Sequence, residues 1–442
     1  MNNTVISLIT RRGAKLRAVR RAERSYGRTL WRQTVGAVAL ACMASFTAAE
    51  QGSAAEQLLS GAAWEQFAER VKAMGQFVQA DSVPKNELEV AEGYRFLLAQ
   101  LSEEIQVALY RSDLNDPLLR GTSITKFSSL AIPSSDAKYM NLQIEDSGVY
   151  RLWGKMGTAK GDISLQFYST AKALESLSLR DYIDADNHFD IQFGGEAPKD
   201  AVKRKNWLPI PKGATLVLFR EYFSDWDSEE RTKMYVDRLN RTPRVEPLSP
   251  EKMTGILTMV NERSDHLLPL FMKGLTHYRN KLQNTVAPAA NINDSGIKAN
   301  LYGPGWFNLR DDETLVLTID QSNSQYWSVQ LGNFWGEAID FVNYPSSING
   351  DQAVIGSDGK YWLVISKQDP GVVNWIDTAG HNEGMIFTRY QGVSSSPNQV
   401  TQLVKLSELN KVLPEGTATV SAEQRFRELR RRHAHISRRY AP

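Results

Sequence analysis

The stretch YWSVQLGNFW, residues 326–335, decides the fold. Trp327, Val329 and Leu331 recur with a period of two, and Asn333 continues the same face. That period is a strand's, because successive side chains of an extended chain point to opposite faces. Gln330, Phe334 and Trp335 are candidates to line a cleft, although core packing explains aromatic residues equally well.

Working outward, 314–319, 361–366 and 385–390 read as strands on the same pattern, with Ser357-Asp358-Gly359 as a hairpin turn. An earlier block, from about 125 to 245, repeats the behaviour in 139–145, 149–153, 163–168, 189–193 and 214–223. Within it, NWLPIP (206–211) cannot be a central strand, because its prolines remove ladder donors. Helical periodicity appears between and around the blocks. Trp64, Phe67, Val71 and Met74 mark one helix, and Val90, Tyr94, Leu97, Leu101 and Ile105 another. A third begins at Ser249-Pro250-Glu251, with Pro269 expected to kink or divide it. Strands and helices do not alternate, which excludes a parallel nucleotide-binding sheet. The expected fold is mainly β with helical additions (α+β): two sandwich or jelly-roll-like units, 125–248 and 297–420, joined by helices. A helical segment (56–124) precedes them, a helical connection (249–296) separates them, and a basic C-terminal helix (421–442) follows. No internal repeat of fixed period is visible.

The 442 residues are ordinary in hydrophobic and charged content but carry 10 Trp and 16 Tyr, which suits strands and aromatic-lined clefts. The net charge of +2 hides an asymmetry. Residues 1–33 hold +8 and residues 421–442 hold +5, so the body carries −11. An acidic body argues against a nucleic-acid groove and against a polyanionic substrate. The single cysteine, Cys42, excludes a thiolate nucleophile, a disulfide and a cysteine-based metal site from the body.

Residues 1–33 are basic, and 34–49 (TVGAVALACMASFTAA) are small and apolar. That order is a signal peptide's, with Thr47 and Ala49, or Ser53 and Ala55, at the cleavage positions. The expected location is periplasmic or secreted, with anchoring to the inner membrane by 34–49 as the alternative. The C-terminal arginines read as a helix laid across the acidic body, with binding to anionic lipid or nucleic acid as the competing reading.

Common catalytic signatures are missing: HExxH, GxSxG, a Walker loop and a dinucleotide fingerprint. The densest group of chemically able side chains lies in DPGVVNWIDTAGHNEGMIFTRY, 369–390. His381 with Asp377 is its best acid–base pair. The carboxylates Glu337, Asp340, Asp377 and Glu383 with one histidine are too scattered to specify a metal, and none is expected.

YWSVQLGNFWGEAIDF (326–341), Ser347-Ile348-Asn349, DPGVVNWIDTAGHNEG (369–384) and Arg389 together resemble the bacterial domain-of-unknown-function family 1214. AEGYRFL (91–97), YRLWGKMGTA (150–159), NWLPIP and FREYFSDWDSE (219–229) are similar to its longer members. The resemblance runs over roughly residues 88–440, and the companion domain 1254 is not evident by motif. It implies sandwich-like β units with added helices and supplies no reaction.

The function expected is that of an exported binding protein. It would hold a small neutral or aromatic ligand in an aromatic-lined cleft between the β units. Trp327, Asn333, Trp335, Asn374, Trp375 and Glu383 are its candidate ligand-binding residues. The alternative is a hydrolase or lyase with His381 as general base, Asp377 orienting it and Arg389 stabilising developing negative charge. No cofactor is expected. Membrane association, if any, would run through the N-terminal segment. The sequence leaves oligomeric state open.

Overall fold

The structure, a computed structural model, describes residues 52–111, 113–122, 133–169, 172–199, 205–242, 247–291 and 300–440. The leader-like segment 34–49 lies outside them. The described chain opens with α1 (Ala54–Leu59), α2 (Ala62–Gln79) and α3 (Glu87–Arg111). Ser53 starts α1 through a capping box, its hydroxyl accepting from the Glu56 amide while the Glu56 carboxylate accepts from the Ser53 amide.

The first β unit holds β1 (Arg120–Thr122), β2 (Ala137–Gln143), β3 (Tyr150–Lys155), β4 (Ile163–Tyr168) and β5 (Ala173–Ser178). It continues with β6 (His188–Phe193), β7 (Trp207–Leu208), β8 (Leu216–Tyr222) and β9 (Lys233–Arg238). Helix α4 (Pro250–Lys281) leads to the second unit. Ser249 caps it, with Pro250 in the first turn. Pro269 lies inside α4 and does not divide it. The second unit holds β10 (Thr285–Val286), β11 (Asn300–Asn308), β12 (Glu313–Asp320), β13 (Tyr326–Gly332) and β14 (Ser347–Asn349). β15 (Lys360–Ser366), β16 (Trp375–Asp377), β17 (Glu383–Gln391) and β18 (Gln399–Lys405) complete it. A 3-10 turn at Leu406–Lys411 and helix α5 (Ala422–Tyr440) end the described chain.

Each unit is a sandwich of a five-stranded and a four-stranded sheet. The first pairs β1-β2-β8-β4-β5 with β7-β6-β3-β9, and the second pairs β10-β11-β17-β13-β14 with β16-β15-β12-β18. Leu142, Leu152, Ile163, Leu165, Ile191 and Phe219 fill the first core. Leu315, Leu317, Val329, Leu331, Leu363 and Ile386 fill the second. The mainly β, two-sandwich expectation is therefore met.

The two units share one topology. Raising every strand number of the first by nine reproduces the strand order of the second. Even the exceptional parallel pairs match, β6 with β7 and β15 with β16. The equivalence reaches single residues: the Gln192 amide donates to the Asn206 carbonyl, and the Val364 amide to that of Asn374. Asn206-Trp207-Leu208 thus stands where Asn374-Trp375-Ile376 stands. Differing loop lengths shift the offset along the chain, so no fixed period appears.

The five-stranded sheets are the inner ones. β4 and β13 are buried on both faces. By contrast β3 alternates, with Tyr150 and Leu152 inside and Arg151 in solvent. One side of each inner sheet meets its own sandwich core. The other meets the opposite unit or, for Trp306, Met385 and Phe387, the helices through Phe96, Leu97, Leu268 and Leu275. No described helix is long and apolar enough to cross a membrane.

Candidate functional site

His381 lies in the turn between β16 and β17 and is 2% exposed. Its partner is not Asp377. His381 Nδ1 lies 2.7 Å from Glu89 Oε1, and its Nε2 lies 3.2 Å from Glu92 Oε2, both on α3. Burial alone would lower the imidazole's pKa. The hydrogen bonds and charges of Glu89 and Glu92 outweigh it and raise the pKa to about 9. The ring is an imidazolium at neutral pH, with no lone pair to act as a base. Asp377 instead accepts from the Ala379 amide at 2.8 Å, and burial raises its pKa to about 6. The His381–Asp377 general-base pair is corrected accordingly.

Glu89, Glu92 and His381 place one ligating atom each within 4.8 Å of one another, a spacing that suits a metal ion. Here each ring nitrogen already faces its own carboxylate, which is the arrangement of an ion-paired imidazolium. Asn333 extends the group. Its Nδ2 donates to Glu92 Oε2 (2.7 Å) and Glu337 Oε2 (3.1 Å), and Arg95 Nη2 donates to Glu337 Oε2 (3.0 Å). The cluster fastens α3 to the second unit.

The other sequence candidates do not converge on a cleft. Trp327 belongs to the core of the second sandwich. Trp335 is fully buried, its Nε1 donating to the Glu89 carbonyl at 2.8 Å. Asn374 adopts a positive φ of 58° and bonds Val354 through both ends of its amide. Trp375 lies beneath Arg425, whose guanidinium is 5.0 Å from the ring centre. Glu383 takes a bidentate bond from Arg279, at 2.7 Å to each oxygen. Each is engaged by core packing, backbone groups or a charged side chain of another element. The expectation that Trp327, Asn333, Trp335, Asn374, Trp375 and Glu383 line a ligand cleft is therefore corrected.

Arg389 belongs elsewhere, on the face where the two inner sheets meet. Opposite residues of antiparallel strands share a face. In the first unit Tyr139 on β2 and Ser164 on β4 both stand opposite Arg220 on β8. In the second, Tyr302 on β11 and Ser328 on β13 both stand opposite Arg389 on β17. The Gln166 side-chain oxygen accepts from Arg220, and that of Gln330 accepts from Arg389 (3.2 Å). The two faces approach each other: Tyr222 and Tyr326 have ring centres 5.3 Å apart, and the Ser135 amide donates to Gln330 Oε1 at 2.8 Å. Burial raises the pKa of both Tyr222 and Tyr302, and the charges of Arg220 and Arg389 act on both phenols in the opposite sense. Both arginines therefore face the same tyrosines. Tyr139, Arg220 and Tyr302 keep some accessible surface although they sit on strands interior to their sheets.

Sequence reasoning missed Tyr139, Arg220 and Tyr302. The available signal was the pair Ser164-Leu165-Gln166 and Ser328-Val329-Gln330, each paired with a later strand bearing one central arginine, β8 and β17.

A two-sandwich protein with an arginine- and tyrosine-lined inter-unit face is the class these observations define. Residues 159–225 match the model of the family described as "Protein of unknown function (DUF1214)". The matched span lies in the first β unit, whereas the stretches 326–341 and 369–384 lie in the second. The chain is similar to the crystal structure of an uncharacterised protein from Burkholderia cenocepacia, at 25% identity and a TM-score of 0.71. That match covers 80% of this chain and 99% of the other. A structure from Vibrio parahaemolyticus matches at 12% identity and a TM-score of 0.40, covering 70% of this chain and 99% of that one. No curated protein matches.

Proposed function

We propose that this protein binds a small organic molecule in the tyrosine-lined space between its two β units, after export from the cytoplasm. The observation that carries the reading is the partial accessibility of Tyr139, Arg220 and Tyr302 on strands interior to their sheets. Polar side chains on inner strands normally lose all contact with solvent when two sheets close on each other. A site between two units, apolar-walled with a few converging polar groups, is where small ligands bind. The basic and then apolar order of residues 1–49 supports export.

Native mass spectrometry of the gently purified protein tests the binding. The expected result is a bound small molecule, absent from a Tyr139→Ala/Tyr302→Ala double variant that keeps its thermal midpoint. Apo mass throughout, with no thermal shift from any member of a library of organic acids and alcohols, overturns it. The denatured mass of the exported protein tests the leader: cleavage near Ala49 or Ala55 is expected, and an intact N-terminus favours the anchor.

A further inference from the structure

We propose that Arg220 and Arg389 form a duplicated anion-recognition pair, one from each β unit, and that the ligand is a small organic dianion such as a dicarboxylate. The inference rests on the inter-unit binding reading above and adds the chemistry of the ligand.

The duplication is the first argument. The strand orders of the two sandwiches coincide, and the same residue types fall at the same register positions. A tyrosine and a serine flank an arginine on the two neighbouring strands in both units. A glutamine two residues beyond the serine accepts from that arginine in both. Two copies of one constellation stand on the two inner sheets, Arg220 partly accessible and Arg389 buried behind Gln330 and Phe387, and both charges act on Tyr222 and Tyr302. A ligand matched to such a pair carries an acidic group at each end.

Charge is the second argument. A guanidinium has five donors in a fixed fork that suits a carboxylate. Among the described residues Arg220 donates to Gln166 and to the Tyr168 hydroxyl (2.9 Å) and makes no ion pair with a carboxylate. Enclosing a cation without an anion is costly, and chains rarely retain one without a reason. The interface carboxylate nearest in sequence to Tyr139, Asp136, is engaged by Tyr326, Asn349 and Trp226, with Arg439 and Arg432 as its cationic neighbours. Beside Arg220, the Ser164 hydroxyl is buried without a hydrogen-bond partner, a donor left for an oxygen that a ligand would bring. The phenol faces of Tyr139 and Tyr302 would hold the ligand's carbon skeleton.

The acidic body is compatible with this, because a polyanion feels the whole surface, whereas a small dianion enclosed between two guanidiniums feels chiefly those two. Phosphate contacts of nucleic acid would need an extended basic stripe, which the body lacks.

Isothermal titration of the full chain tests the proposal, with succinate, glutarate and phthalate as probes, each against its monoacid monoamide and its neutral diamide. One dicarboxylate is expected to bind best, the monoacid more weakly and the diamide weakest. Arg220→Gln and Arg389→Gln should each weaken the best dicarboxylate by roughly tenfold or more, since a charge-assisted pair is lost. Both should leave diamide affinity unchanged, and Arg220→Lys should recover part of the loss. Thermal midpoints of the variants show whether they fold. A diamide that binds as tightly as its diacid, and is lost on Tyr302→Ala, overturns the anion chemistry while leaving the inter-unit site standing. Failure of every dicarboxylate to bind, or unchanged affinity in both glutamine variants, overturns the proposal outright.

Discussion

Two buried histidines titrate in opposite directions, and their surroundings say why. His381 is charged between Glu89 and Glu92, its pKa raised from 6.5 to about 9. Below pH 6.5 the ring is protonated in both the folded and unfolded chain, so the ion pairs contribute in full. Above 6.5 the unfolded ring loses its proton first, and the contribution is gone once pH passes about 9. At one pKa unit per ~1.4 kcal/mol, the stake is on the order of 3 kcal/mol. His435 is the reverse case. Burial and the neighbouring Arg439 lower its pKa to about 3. The neutral ring donates from Nδ1 to the Trp226 carbonyl (2.6 Å) and accepts at Nε2 from Arg439 Nε (2.9 Å). Its contribution is complete above pH 6.5 and is lost as pH falls toward 3. Chemical denaturation at pH 6.5 and pH 9.5 should therefore show a lower midpoint at the alkaline value. In His381→Gln that drop should shrink, and in His435→Gln it should persist while the acid limb between pH 6 and 4 flattens. An alkaline limb identical in native and His381→Gln protein would remove the imidazolium assignment.

Among the elements, α3 shows how a single glycine permits a contact. Gly93 faces the Trp335 indole so closely that a Cβ there would lie 2.4 Å from the ring. The indole cannot retreat, because it is fully buried, stacks on Phe96 (5.8 Å between ring centres) and donates to the Glu89 carbonyl. An alanine in mid-helix normally gains about 1 kcal/mol over glycine. Gly93→Ala should instead lower stability by roughly 1–3 kcal/mol through overpacking, as urea unfolding would show. A gain in stability would mean the helix and the indole separate easily. Helix α5 shows the limit of charge counting. Arg425, Arg432 and Arg439 recur every seven residues on one face. Arg425 pairs with Asp369, but Arg432 and Arg439 donate to backbone carbonyls of Phe341, Ser347 and Ser135. The anchors of α5 are hydrogen bonds and ring faces more than neutralised carboxylates. This is also where sequence reading stopped. Period-two runs revealed the central strands, including 163–168 and 361–366, because alternation is local information. Strands β11 and β18 went unread, since Asn300–Asn308 carries two glycines and a proline, and Gln399–Lys405 is polar and largely exposed. The partners of His381 lie far back in the chain on α3, Glu89 being 292 residues away, and an i, i+3 pair of glutamates looks like any solvated helix face. Arg220 sat unnoticed in FREYF because nothing local marks a strand face that another sheet will cover.

For the whole molecule the question is what holds the two sandwiches in register at the junction where Tyr222 meets Tyr326. Asp136, 1% exposed, is the point where the units and their loops meet. Its carboxylate accepts from Trp226 Nε1 of the first unit (2.8 Å) and from Tyr326 OH (2.6 Å) and Asn349 Nδ2 (3.1 Å) of the second. Burial raises its pKa, which those donors oppose along with the charges of Arg439 and Arg432. Arg439 also donates to the carbonyl of adjacent Ser135 (2.5 Å), so α5 closes over the same point. Asp136→Ala would remove the acceptor of the Trp226 indole N–H and the Tyr326 hydroxyl and leave Asn349 Nδ2 with the Ser224 carbonyl alone, a loss of roughly 3–5 kcal/mol. Each sandwich is expected to keep its own core under that change, because the aromatic donors Trp226 and Tyr326 belong to neither sandwich core. Calorimetry is then expected to show one cooperative transition for the native protein and two for Asp136→Ala, the units melting separately once their junction is lost. Dicarboxylate affinity should fall in the same variant, since neither arginine has been touched but the pair is no longer held face to face. Asp136→Asn, which retains one acceptor oxygen, should lie between the two. A single transition at the native midpoint in Asp136→Ala would show that apolar contact such as Tyr222 on Tyr326 suffices to hold the units together. The buried carboxylate would then be a tolerated cost of the fold instead of its junction.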